Sequence, residues 1–409
     1  MLLDRIKVKD RSQWREVLFA LLALGFFVQL AGLIFNHDGS RYATQCYLLL
    51  FVPALLYFLT GGMRHVLWQQ LPILLLALLL SWVLLVGGFH PGSNKSFLVW
   101  GKLVLLIALY LFAVASLVRS KRHLSWVLGG ALAVAVLFAW WTLVYQYGVL
   151  GKPYTYPEAR QFRLSELGWH GLADLDHPIV AGLYYGVFAV VLCWFFVSFP
   201  VRIWQGALLA VGMIGLLLYV LFTFSRGAWF SLAGATFLLL LLVPNRKSFS
   251  LMGLGGIALV LLALFFWPEI QAERSVGLNN REPIWTSWIS RLPEFWLFGS
   301  GGGADFYFRF PGGYEVFHAH SLYLQLWYEF GIVGFLLFVG LLLSLLHKAW
   351  QCREQPLARL GAALLAFAMI AMVSDIYAVF HRPSPYWVVF WLPVGILLGV
   401  QKRQQADFG

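Results

Sequence analysis

Apolar runs about 20 residues long recur along the whole chain, and they constrain it more than any other feature. An α-helix needs about that length to cross a hydrocarbon core roughly 30 Å thick. Hydrophobic residues make up 61% of the 409 positions and charged residues only 11%, where a soluble domain carries about a quarter charged. The expected fold is therefore an all-α polytopic membrane protein, a single integral membrane domain over 1–409. Helices are expected at about 17–35, 44–60, 66–88, 97–118, 124–147, 178–199, 202–224, 227–243, 249–267, 321–346, 357–380 and 386–400, about twelve in all. Residues 1–16 are basic and polar, and no small-residue cleavage site follows the run from Val17, so the first helix is expected to be retained. Cys46, Cys193 and Cys352 lie in or beside apolar segments without metal-ligand spacing, which argues against a disulfide framework or a zinc site.

The net charge of +11 is not read as a nucleic-acid footprint. In membrane proteins Lys and Arg collect on the cytoplasmic side. An even helix count puts Arg5, Lys7, Lys9, Arg11 and Arg15 on one side with Arg119-Ser-Lys121-Arg122, Arg246-Lys247, Lys348, Arg353, Arg359 and Lys402-Arg403. Both termini are then cytoplasmic. Two long segments, 148–177 and 268–320, fall outside, and function concentrates on loops held by a rigid scaffold.

The external loops break the charge rule. Arg160, Arg163, Arg226, Arg274, Arg281, Arg291, Arg309 and Arg382 all lie outside. One explanation is a solvated basic face. The other is an anion site, because the planar guanidinium donates two parallel bonds to a phosphate. Arg226, in Phe224-Ser225-Arg226-Gly227, stands between two apolar runs with almost no loop. An arginine there must snorkel, pair, or face a wet cavity, and Gly227 would let a ligand or another backbone come close. Around Arg281 the sequence reads as a helix start, with Asn280 as cap and Glu282-Pro283 in the first turn. Trp285, Trp288, Ile289 and Leu292 then form one apolar face suited to a membrane surface. Gly299-Ser300-Gly301-Gly302-Gly303 is either an anion nest or a flexible connector.

The large segment ends His318-Ala319-His320-Ser321, where the tenth helix is expected to start with Ser321 or the residues beside it as cap. His320, Tyr323, Trp327, Gly331 and Gly334 share one helical stripe. A titratable group would stand at the membrane surface above a small-residue packing notch. A metal reading of His-X-His finds no further His, Asp or Glu set at ligand spacing, although His177 and His381 are also expected outside.

His320-Ser321, nine positions, then Gly331-Ile332-Val333-Gly334 resembles the pattern of the O-antigen ligase family. Arg226 in Ser-Arg-Gly and Arg281 before Trp285 resemble that family's external arginines, and the helix count and loop placement carry the likeness over nearly the whole chain. The resemblance implies a fold similar to C-type membrane glycosyltransferases, with a large periplasmic loop between the ninth and tenth helices. It implies transfer of O-antigen polysaccharide from undecaprenyl diphosphate to a sugar of lipid A–core at the periplasmic face of the bacterial inner membrane, without metal or cofactor. His320 would be the base, and Arg226 and Arg281 would hold the diphosphate. Arg163, Arg160, His318, Tyr323 and Ser225 are further substrate-binding candidates. O-antigen polymerases and O-linked oligosaccharyltransferases belong to the same superfamily and remain open alternatives. A transporter or flippase of an anionic lipid-linked substrate is the rival from another class, but transporters tend to set charge near the midplane. Asp375, read inside the eleventh helix, is the exception, with Arg382 or a neighbouring helix as its expected partner.

Overall fold

The computed structural model describes residues 2–62, 70–275, 277 and 281–401. Among them, nine helices are long and apolar enough to cross a membrane: Gln13–Phe35, Gly39–Gly61, Leu71–Phe89, Phe97–Arg119, Arg122–Val149, Pro178–Ser198, Ile203–Phe222, Arg246–Phe265 and Leu322–Gln351. Three shorter apolar helices, Arg226–Leu242, Pro356–Ala371 and Trp387–Gly399, fall at the remaining expected positions. The chain is an all-α polytopic membrane protein, and its short hairpin, Phe308–Arg309 against Glu315–Val316, is incidental to that architecture. The expected cap Asn280, the expected start of the third helix at 66–69 and the basic pair Lys402-Arg403 lie outside the described residues.

Pro178–Ser198 is enclosed almost throughout, whereas Arg246–Phe265 has a single buried residue, Ser248. The centre of the bundle packs Arg226–Leu242 between Pro178–Ser198 and Pro356–Ala371. Small residues allow this approach: a Cβ on Gly182 would stand 2.8 Å from Thr223 Oγ1, and one on Gly234 would stand 2.5 Å from Ile370 Cδ1.

Two helices differ from expectation, and both differences shape the site. The eleventh was expected to reach residue 380 but stops at Ala371. The carbonyls freed there are taken by other elements: Met372 O accepts from Leu322 N at 2.9 Å and Ser374 O from Arg281 Nη2 at 2.9 Å. Asp375 is therefore in a loop past the helix end, not inside it. The tenth helix is not one straight rod, because Gly331 interrupts it at φ 67°, ψ −174°. A Cβ on Gly331 would lie 2.1 Å from Leu297 O, so its lack of a side chain admits the large loop and not a neighbouring helix.

The glycine-rich turn completes this break. Ser300 N–H donates to Tyr328 O at 2.7 Å and Gly301 N–H to Glu329 O at 3.1 Å. Trp82 Nε1 donates to Phe330 O at 2.8 Å, and Ile332 N–H to Trp296 O at 2.9 Å. Four backbone groups beside the break thus find partners, as low-dielectric surroundings demand. Residues 299–303 are thus neither an open anion nest nor a slack connector. They dock the large loop onto the tenth helix.

Candidate functional site

His320 stands just before the tenth helix, in the left-handed region at φ 51°. Its N–H donates to His318 Nδ1 at 3.3 Å, the two imidazoles lie 4.1 Å apart, and His318 stacks on Tyr377 at 4.0 Å. Ser321 does not cap the helix with its side chain. Its hydroxyl donates instead to Met372 O at 3.3 Å. Burial, then Arg281, pushes the His318 imidazole down to about 4, with Asp305 opposing. Burial, then His318, Arg281 and His177, pushes His320 down to about 4. Both rings are neutral near pH 7, and a neutral imidazole can accept a proton.

Arg281 reaches the same place from the short helix Arg281–Ser290. Its Nη2 lies 3.1 Å from Asp375 Oδ1, and its Nε and Nη2 donate to Ser374 O at 3.2 and 2.9 Å. Burial lowers its pKa, and the charge of Asp375 opposes that. The other oxygen of Asp375 accepts from Ser225 Oγ at 2.9 Å, while Ser225 caps the helix Arg226–Leu242 by accepting from Ala228 N at 3.2 Å. A Cβ on Gly227 would fall 2.1 Å from Asp375 Oδ2. The close approach anticipated at Gly227 is therefore made by this carboxylate.

A second carboxylate gathers two more arginines. Arg226 Nη1 donates to Glu273 O at 3.2 Å, and its Nε lies 3.9 Å from Glu273 Oε2. Arg160 pairs with Glu273 Oε1, which also accepts from Tyr156 OH at 2.7 Å. Arg163 donates to Thr223 O at 2.7 Å. Burial, then the charge of Arg160, lowers the pKa of Arg163, which also feels Asp375 and Arg281. His177 caps the helix Pro178–Ser198 by accepting from Ile179 N at 3.2 Å, and burial and then Arg163 lower its pKa.

The structure thus brings Arg160, Arg163, Arg226, Arg281, Ser225, His318 and His320 to one end of the bundle. Tyr323 is placed elsewhere: its hydroxyl donates to Met369 O at 3.0 Å, within helix packing. Arg291 turns to Glu294 at 3.4 Å and to the Phe306 ring, Arg274 is exposed, and Arg309 faces Glu315 at 3.7 Å. Asp375 pairs with Arg281 and Ser225, not with Arg382, which donates to Ser40 Oγ at 3.2 Å. The short helix also departs from expectation. Ile284 and Trp288 form its buried face, and Trp285 and Trp288 donate to Ala319 O and Leu324 O at 3.0 and 3.1 Å. Ile289 is 65% exposed. Its apolar side therefore packs on the start of the tenth helix instead of lying flat on a lipid surface. Glu273, Tyr156 and Tyr377 were not anticipated.

Chemically, the arrangement is a set of cations beside neutral proton acceptors. The four arginines outnumber the two carboxylates beside them, so the cluster carries a net positive charge and favours an anion. Among the described residues no group of three His, Cys, Asp or Glu side chains is placed to hold a metal ion.

Residues 211–339 match the family model described as O-antigen ligase. The chain is also 27% identical over 393 residues to an O-antigen ligase of Pseudomonas aeruginosa, covering 95% of this chain and 92% of that one. The resemblance to this family is borne out. The matched range holds Arg226, Arg281, His320 and both glycines of the His–Gly pattern, whereas Arg160, Arg163 and Asp375 reach the cluster from outside it.

Proposed function

We propose that this relative of the O-antigen ligases is a membrane glycosyltransferase. It transfers O-antigen polysaccharide from undecaprenyl diphosphate to a sugar hydroxyl of lipid A–core, at the periplasmic face of the inner membrane. One observation carries the reading: a neutral His320 within electrostatic reach of Arg281, in a cluster that also holds Arg160, Arg163 and Arg226. In the reaction the bond from the anomeric carbon to the diphosphate oxygen breaks. A bond from the acceptor hydroxyl oxygen to that carbon forms. The hydroxyl proton passes to His320, and undecaprenyl diphosphate leaves with the electron pair.

The leaving group gains charge as its bond breaks, and preorganised guanidiniums answer that charge where it develops. Arg226 and Arg281 hold the diphosphate in this reading, with Arg160 and Arg163 at its flank, and no metal is required. Ser225 acts through Asp375, and His318 through its contact with His320. The bound diphosphate also favours the imidazolium, so donor binding offsets the burial and cationic neighbours that depress the pKa of His320.

The experiment is the lipopolysaccharide banding of a strain from which this gene is deleted. A ligase leaves bare core and accumulated lipid-linked polymer when lost. Core bearing a single repeat unit would make the protein a polymerase instead, and unaltered lipopolysaccharide would overturn both.

A further inference from the structure

The backbone between the two histidines is gripped at both of its polar groups by side chains. Ala319 is fully buried. Its carbonyl accepts from Trp285 Nε1 at 3.0 Å, and its N–H donates to Gln325 Oε1 at 3.0 Å. Trp285 lies one helical turn from Arg281, so the first clamp ties the histidine turn to an arginine of the site. The second clamp is less obvious. A glutamine amide can face either way, and only one orientation presents oxygen to Ala319 N–H. Glu329, one turn further into the tenth helix, settles this. Its Oε1 accepts from Gln325 Nε2 at 2.9 Å, and its Oε2 accepts from Gly303 N–H at 2.7 Å. Ala319 N–H can only donate, so the oxygen of Gln325 faces it and the NH2 turns to Glu329, which as a carboxylate accepts. Ala304 O also accepts from Gln325 Nε2, at 3.3 Å.

We propose that Gln325 and Glu329 are positioning residues for the transfer reaction: Glu329 orients the Gln325 amide, and the amide holds the His318-Ala319-His320 turn, with His320 at its left-handed φ, in register with the arginines. The inference rests on His320 being the base in the function proposed above. The need for such a device follows from the turn. A non-glycine residue at φ 51° is uncommon and persists only where its surroundings hold it. His320 N–H already donates to His318, so side chains have to hold the peptide before it.

The test exploits the direction of the amide. Gln325→Glu sets two carboxylates against each other, and Glu329→Gln turns an amide on one of its two donors. Exchanging both, Gln325→Glu with Glu329→Gln, restores an acceptor for Ala319 N–H, a bond between the side chains and an acceptor for Gly303 N–H. Only the donation to Ala304 O is lost. Transfer from lipid-linked donor is measured with purified protein, each variant at matched monodisperse amounts, beside His320→Ala. Each single variant is expected to lower kcat by on the order of 10-fold or more with donor KM within about threefold, since misplacement by about 1 Å costs up to about 10²-fold. The double variant is expected to recover at least half of that loss on a logarithmic scale. Gln325→Leu, which adds no charge, covers the case in which Gln325→Glu does not fold. Full activity in Gln325→Leu, or a double variant no better than the worse single one, overturns the proposal. An active His320→Ala protein would instead sink the base assignment on which it stands.

Discussion

The carboxylate of Asp375 meets the guanidinium of Arg281 at 3.1 Å, across 94 positions of sequence, and its other oxygen takes the hydroxyl of Ser225 at 2.9 Å. Both partners are largely buried. A buried pair of this kind contributes little net stability, but loss of one partner strands the other charge, at roughly 3–5 kcal/mol. Its use here is aim: one carboxylate sets the direction of Arg281 and ties the Arg226 helix to the same loop. We expect Asp375→Asn to keep the shape of the network while weakening it. We expect kcat to fall and donor KM to rise together, with kcat/KM down on the order of 10–100-fold. Steady-state transfer kinetics at several donor concentrations check this, and unchanged kinetics would reduce the pair to scaffolding.

The clamp itself is tested by lysine. Lysine keeps the charge but lacks the planar fork. We expect Arg226→Lys and Arg281→Lys each to lose on the order of 10²–10³ in rate, as for removal of one preorganised donor. Arg309 is 65% exposed at its side chain beside Glu315, and Arg309→Lys should behave as wild type. If both clamp variants stay within about threefold of wild type, the arginines are a basic face and no more.

The pH dependence follows from the histidines. With His318 and His320 held down to about 4, the limb of kcat/KM set by the free enzyme's base should fall only below about pH 5. In kcat the donor-bound enzyme should show a limb at higher pH, because the diphosphate favours the imidazolium. For stability the direction is fixed as well. The unfolded chain binds these protons near 6.5 and the folded chain only near 4. The contribution is complete above about pH 6.5 and is lost as pH falls from there toward 4. Thermal unfolding in detergent across pH 4–8 measures it. A kcat/KM limb near 6.5 in the free enzyme would mean that the histidines are not buried as described.

Much of the fold could be read in the sequence, because hydrophobic length is a local property. Among the described residues each of the twelve apolar runs carries a helix. The eleventh is shorter because Ser321, Leu322 and Arg281 claim the backbone oxygens of Met372 and Ser374, and those partners are distant in sequence. His320, Arg226 and Arg281 were legible as polar residues at membrane edges. Asp375 gave a signal too, as a lone carboxylate after an apolar run, but its partner could not be read from it. Arg382 is seven positions away and Arg281 is 94. Glu273 gave none, since a charged residue in a long loop is ordinary. The stripe from His320 to Gly334 rested on an unbroken helix, and the break at Gly331 depends on the large loop folding back.

That break predicts a stability effect. Gly331→Ala would strain a backbone conformation reserved for glycine and set a methyl 2.1 Å from Leu297 O unless the loop moves. We expect a loss of about 2 kcal/mol or more, seen as a lower melting temperature and faster proteolysis between residues 290 and 320. Gly312, beside which an added Cβ meets nothing within 4 Å, serves as the neutral comparison.

The most direct measurement is transfer by purified His320→Ala protein in a defined system of lipid-diphosphate-linked donor and core acceptor, at wild-type protein levels and with melting temperature recorded. The account predicts a folded protein that binds donor and transfers at least about 10²-fold more slowly, the loss expected for a missing general base. Transfer within a few-fold of wild type would contradict it.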